Sequence, residues 1–164
     1  MLISLIMIAC SKQLSRKVPV NYALLLTFTV CMSYFVMIAT SHYDPHTVIL
    51  AAGLTAMMVI ALAFYALFTK VDLSILFGAC ILIVVSMIVC GVSMVFTFSP
   101  VAYTIYCGLG ALLFGIYIIY DIKVIICNPY WGLSTDDYII GAIILYMDII
   151  QLFLFILRLL ASKK

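Results

Sequence analysis

Of 164 residues, 68% are hydrophobic and only 9% charged, where a soluble domain carries about 25% charged residues. That composition excludes a water-soluble enzyme, and the small net charge of +2 excludes a nucleic-acid-binding protein. The charges also stand apart: all eight Lys and Arg and five of the six acids lie between or at the ends of apolar runs, and Asp148 alone interrupts one.

A bilayer core about 30 Å thick is crossed by roughly 20 residues of helix. In chain order the spacing predicts an all-α polytopic membrane helix bundle of about six helices, forming one transmembrane domain over 1–164. The apolar run 1–10 is too short to cross alone and has no basic segment before it, so it reads as the tail of a span rather than a signal peptide. Helices are then expected over 21–41 and 47–69. The long uncharged stretch that follows exceeds one crossing, and Thr97, Ser99 and Pro100 divide it into 73–97 and 101–121. The last helix, 137–160, reaches crossing length only with Asp148 inside it.

Three Lys or Arg fall in 11–21, one in 70–72 and one in 122–135, and none in 41–46 or 97–101. Alternating crossings put every basic connection on one face, which the positive-inside tendency makes cytosolic. Arg158, Lys163 and Lys164 contradict this if the last helix crosses completely, so that segment is either re-entrant or an exception. The six cysteines show no C-x-x-C spacing and read as small apolar side chains.

The chemistry concentrates in the last two spans. Asp148 lies about 16 Å along the helix from Asp137, near mid-membrane, and an acid there needs a partner or water and marks function by default. Asp121, which closes the preceding span beside Lys123, is the expected partner. Gly108, Ala111 and Gly115 share a face of that span, and small residues so placed let two helices approach closely. Gln151 and Arg158 fall on the same broad side of the last helix as Asp148 and are expected to support it, although Arg158 can also snorkel to a headgroup. Ser134 reads as the helix cap, with Asp137 reaching back as in a capping box. His42, Asp44 and His46 are better explained by an exposed turn at Asp44-Pro45 than by metal.

Several segments in order resemble the transmembrane Bax inhibitor motif family, in particular its lifeguard and Golgi anti-apoptotic branch. They are Arg16-Lys17-Val18-Pro19-Val20-Asn21, Leu50-Ala51-Ala52-Gly53-Leu54-Thr55-Ala56, Gly108-Leu109-Gly110-Ala111-Leu112-Leu113-Phe114 with Tyr120-Asp121, Leu133-Ser134-Thr135-Asp136-Asp137-Tyr138, and Leu145-Tyr146-Met147-Asp148-Ile149-Ile150-Gln151. The resemblance implies a bundle of about seven helices with the last near the centre, from which this sequence lacks the first span and part of the second.

The same resemblance implies calcium leak from endoplasmic reticulum or Golgi stores and restraint of cell death. It further implies gating by a buried aspartate pair that maps onto Asp121 and Asp148 as the pH-sensing and ion-path residues. The partners so implied are the lipid bilayer, calcium ions and other membrane apoptosis regulators. The location is an endoplasmic reticulum or Golgi membrane, or the plasma membrane if the source is bacterial. No cofactor is expected; calcium would be the permeant ion, with Asp121 and Asp148 its transient ligands. Departures from the family pattern are 124–131 in place of Gly-Gly-Lys-His, Ile144 and Gln151 in place of Asn, and no basic residue in 1–11 to serve as the family's latch.

Two carboxyl groups pressed together in low dielectric cannot both ionise cheaply, so they would share a proton that ties the last two helices together, and its loss would part them. A non-conducting interaction scaffold that modulates cell death is the alternative. An intramembrane aspartyl protease is a remote one: Tyr120-Asp121 fits it, but Asp148 follows Leu145-Tyr146-Met147 rather than Gly-x-Gly.

Overall fold

The structure is a computed structural model that describes residues 20–69, 73–97, 99–127 and 138–162. Five helices account for almost all of them: α1 (Val20–Thr40), α2 (Pro45–Phe68), α3 (Leu73–Thr97), α4 (Pro100–Cys127) and α5 (Tyr138–Ala161). The expected short helix 1–10 and the caps Ser134 and Asp137 lie outside the described residues. Proline opens both α2 and α4, where its missing N–H costs no hydrogen bond and its fixed φ suits a first turn. Four helices, α2 to α5, are long and apolar enough to cross a membrane. Their outward faces carry large apolar side chains such as Ile49, Met57, Phe68, Leu82 and Leu112, as expected where the solvent is lipid. The chain is thus a polytopic integral membrane protein.

α4 continues to Cys127, past the expected end at 121. That expectation placed Lys123 in the connection 122–135, but Lys123 is turned inward and only 6% exposed, so the apolar residues after it extend the same helix.

Burial is uneven. α4 and α5 form the interior, packed against each other along their length, with α2 and α3 against α4, α2 also against α5, and α1 chiefly against α5 among the described residues. Cys107, Ile118, Leu152 and Leu157 are fully enclosed between these helices. α1 docks through Phe28 and Met32 onto Ile143, Tyr146, Met147 and Ile150; the Phe28 and Tyr146 rings meet edge to face at 6.2 Å, the arrangement their quadrupoles favour. The last helix therefore stands where the family resemblance placed it, at the centre.

The α4–α5 seam is antiparallel. Thr104 donates to Ser162 at 3.2 Å near one end; Gly110 and Phe114 meet Phe155 in the middle; Ile125 touches Gly141 near the other. α5 is continuous and its C-terminal turn lies beside the start of α4. Its length and apolar composition suffice for a complete crossing, the reading adopted over the re-entrant one. Arg158 accordingly emerges at the end that carries the α1–α2 turn and the Ser99–Pro100 corner, the exception to the charge rule.

The small residues of α4 divide differently from the expectation. A Cβ on Gly108 would meet open space, because Gly108 does not face a neighbour; Ala111 is buried in the core, and a Cβ on Gly115 would touch Leu62 of α2 at an ordinary 3.5 Å. The close approach is at Gly110, where a Cβ would collide with the Phe155 ring. That ring stacks on Phe114 at 5.6 Å and tilts against Tyr106 at 6.0 Å, so it cannot withdraw without unpacking both.

Two measurements check this packing. Gly110→Val should lower stability by about 1–3 kcal/mol through overpacking, whereas Gly108→Ala should shift it by less than about 1 kcal/mol, both read from unfolding of the purified chain in mild detergent. In a chain whose native cysteines are replaced by alanine, Ser41→Cys and Ser162→Cys should react with a membrane-impermeant thiol reagent from the same side of sealed vesicles.

Candidate functional site

Asp121 and Asp148 meet across the seam. Each projects from one of the two interior helices, and their side chains lie within hydrogen-bonding reach of each other. A carboxylate has no hydrogen to give, so a bond between two carboxyl groups exists only while one of them keeps its proton. The second oxygen of Asp148, Oδ2, is buried and has no hydrogen-bond partner. A buried acceptor without a partner is costly and is the strongest local sign that something else, water or a cation, belongs beside it.

Asp148 lies about 15 Å along α5 from its first residue, Tyr138, and Asp121 about 9 Å from Cys127, the last residue of α4. Lys123 is buried just beyond Asp121.

Two further side chains share the site. Cys80 of α3, only 3% exposed, and Tyr117, one helical turn before Asp121, both lie within electrostatic range of both acids. Tyr117 was findable, since a residue four before Asp121 shares its face. Cys80 was not, because nothing in the α3 sequence distinguishes it from the other cysteines in apolar runs. Among the described residues no group of three or more His, Cys, Asp or Glu is arranged to hold a metal ion.

The expected supporting residues are not gathered here. Gln151 lines a separate cleft between α3, α4 and α5, beside Met87, Phe114 and Phe155. Arg158 lies about 15 Å from Asp148 along α5, its guanidinium 5.5 Å from the centre of the Phe155 ring. Between Arg158 and the acid pair stands the layer formed by Tyr106, Phe114 and Phe155. His42 and His46 are exposed at the α1–α2 turn and contribute nothing to the pair.

Removing one acid tests the contact directly. Asp121→Ala should leave Asp148 buried without its partner and lower stability by about 1–3 kcal/mol. Asp121→Asn, which can still hydrogen-bond to Asp148, should recover most of that loss in the same detergent unfolding measurement.

The comparisons with known proteins agree with this architecture. The whole chain, residues 1–164, matches the family described as Inhibitor of apoptosis-promoting Bax1. It is 31% identical over 166 aligned residues to Protein lifeguard 3 of Mus musculus, covering 99% of this chain and 54% of that protein, and 31% identical to Protein lifeguard 3 of Homo sapiens, covering 53% of it. A BI1-like protein of Arabidopsis thaliana is 36% identical over 152 residues, covering 88% of this chain and 57% of that protein. The chain thus spans little more than half the length of these curated relatives. With a full-length family match, relatives above 30% identity and a bundle of apolar helices, the chain belongs to the Bax inhibitor family of integral membrane proteins.

Proposed function

We propose that this protein is a pH-sensitive calcium leak channel, or calcium-homeostasis regulator, of an intracellular membrane, that it restrains apoptosis, and that the Asp121–Asp148 pair is its gate. The observation that carries the reading is the buried Oδ2 of Asp148, without a partner and beside a second carboxyl group on the adjacent interior helix. The family match adds the link to cell death through its description as an inhibitor of apoptosis-promoting Bax1. An endoplasmic reticulum or Golgi membrane is the proposed site of action, and the activity is not catalytic.

The mechanism follows from the chemistry of two acids at one point. While one proton is shared, the hydrogen bond ties α4 to α5, and the acids present a single negative charge. When it is lost, two like charges repel across a low-dielectric seam, the bond disappears, and four carboxylate oxygens become attractive to calcium. The two helices then have reason to part, and Tyr117 and Cys80 line the space they would leave. Because the proton closes the gate, flux should rise with pH. Lipid and calcium are the partners this requires; contact with other membrane regulators of cell death would exploit the lipid-facing helices.

Calcium entry into liposomes containing the purified full chain tests the proposal. Wild-type flux should increase by at least about threefold between roughly pH 6 and 8, the response of a shared proton. Asp148→Asn, which cannot lose its proton, should hold flux low and nearly constant across that range. Flux and pH dependence that Asp148→Asn leaves unchanged would remove the gate, and no flux from a folded chain would leave the non-conducting scaffold as the better reading. Cleavage of a membrane-spanning substrate would instead favour the protease alternative.

A further inference from the structure

At the end of the seam opposite the acid pair, an open cleft of about 760 Å³ lies between the α1–α2 turn and the adjoining ends of α4 and α5. Its volume falls within the roughly 300–1,000 Å³ of ligand sites. Its polar groups are few and of one kind. Arg158 brings a fixed positive charge, Tyr43 and Ser99 bring hydroxyl groups from two different connections, and Tyr103, whose hydroxyl is engaged with Cys107, forms a wall. Among the described residues that line it there is no carboxylate. Ser162 adds a hydroxyl already engaged with Leu159 and Thr104, and the remaining lining, Met94, Pro100 and Ala161, is apolar.

Position narrows the ligand. The apolar stretch of α4 begins at Pro100 and that of α5 ends at Ala161, so the cleft straddles the boundary between hydrocarbon and headgroups, with Arg158 about 5 Å inside the end of its helix. The Phe155 ring against the guanidinium attracts the cation but leaves its charge intact. A guanidinium at that depth calls for an anion that can enter with an apolar body. Met94 of α3 and Pro100 of α4 give the cleft an apolar side against which an acyl chain can lie.

We propose that this cleft binds the headgroup of one anionic phospholipid. Its phosphate accepts paired N–H bonds from Arg158 and single hydrogen bonds from the Tyr43 and Ser99 hydroxyls, while an acyl chain lies against Met94 and Pro100. The site joins the α1–α2 turn to the ends of α4 and α5, and it stands independently of the role given to the acid pair.

Native mass spectrometry of the full chain, released from phosphatidylcholine nanodiscs containing dioleoyl phosphatidate, tests it. One phosphatidate should remain on each chain. Arg158→Gln should weaken retention by at least about tenfold, the loss of one charge-assisted hydrogen-bonded pair, Arg158→Lys should restore part of it, and Tyr43→Phe should weaken it by a few-fold. Millimolar inorganic phosphate should not displace the lipid. The proposal is overturned if a folded Arg158→Gln chain retains phosphatidate as the wild type does, if phosphatidylcholine is retained equally, if inorganic phosphate competes, or if the wild type retains none because another part of the chain fills the cleft. Should Arg158→Gln fail to fold, unchanged retention in both Arg158→Lys and Tyr43→Phe overturns it as well.

Discussion

A hydrocarbon layer offers no hydrogen bonds, and each polar group placed in it must find its partner within the protein. In this chain that requirement is met chiefly along one seam. Helix hydroxyls satisfy themselves locally, as where the buried Thr55 donates to the carbonyl of Ala51 at 2.7 Å, and so place no demand on tertiary structure. Asp121 and Asp148 cannot do this. Each lies within hydrogen-bonding reach of the other across the seam, so each meets this partner only when α4 and α5 pack together. The two most buried helices are the two that carry these acids, and the rest of the bundle wraps them.

The seam could pack in this register because it alternates tight and bulky contacts. Gly110 admits the Phe155 ring, Phe114 and Tyr106 grip it, and the same spacing brings Asp121 opposite Asp148 a few turns further on. Sliding one helix past the other by a single turn would push Phe155 onto a side chain and separate the acids together. Packing and electrostatics therefore specify one alignment, and neither alone would do so as strongly. Family membership, which rests on the match over the full 164 residues, accords with an arrangement that so few substitutions could leave intact.

Much of this was legible from the residues because membrane sequences are written in runs. An acid inside 138–161 is conspicuous against its neighbours, and Pro45 and Pro100 marked a turn and a break beside which helices begin. What stayed hidden depends on which way a helix faces. Lys123 looked interfacial from its place in the chain, yet its direction is inward and α4 continues beyond it. Gly108 and Gly110 are equivalent in composition and only the Phe155 ring of another helix distinguishes them. Cys80 joins the acids solely through the packing of α3 on α4, a relation between distant residues that periodicity does not encode. The direction of the final crossing also needed coordinates, since the charge pattern favoured one side and the helix length the other.

The depth of the two acids bears on how a membrane voltage would reach them. Asp148 is the eleventh of the 24 residues of α5, so a proton arriving from either face traverses roughly half of the transmembrane field. Moving one charge through the entire field is worth about 2.3 kcal/mol per 100 mV, so the electrical contribution to protonating this pair is about 1 kcal/mol per 100 mV, against about 1.4 kcal/mol for one pH unit. Polarisation of the bilayer and acidity at its faces therefore act on the charge state of the pair with comparable strength.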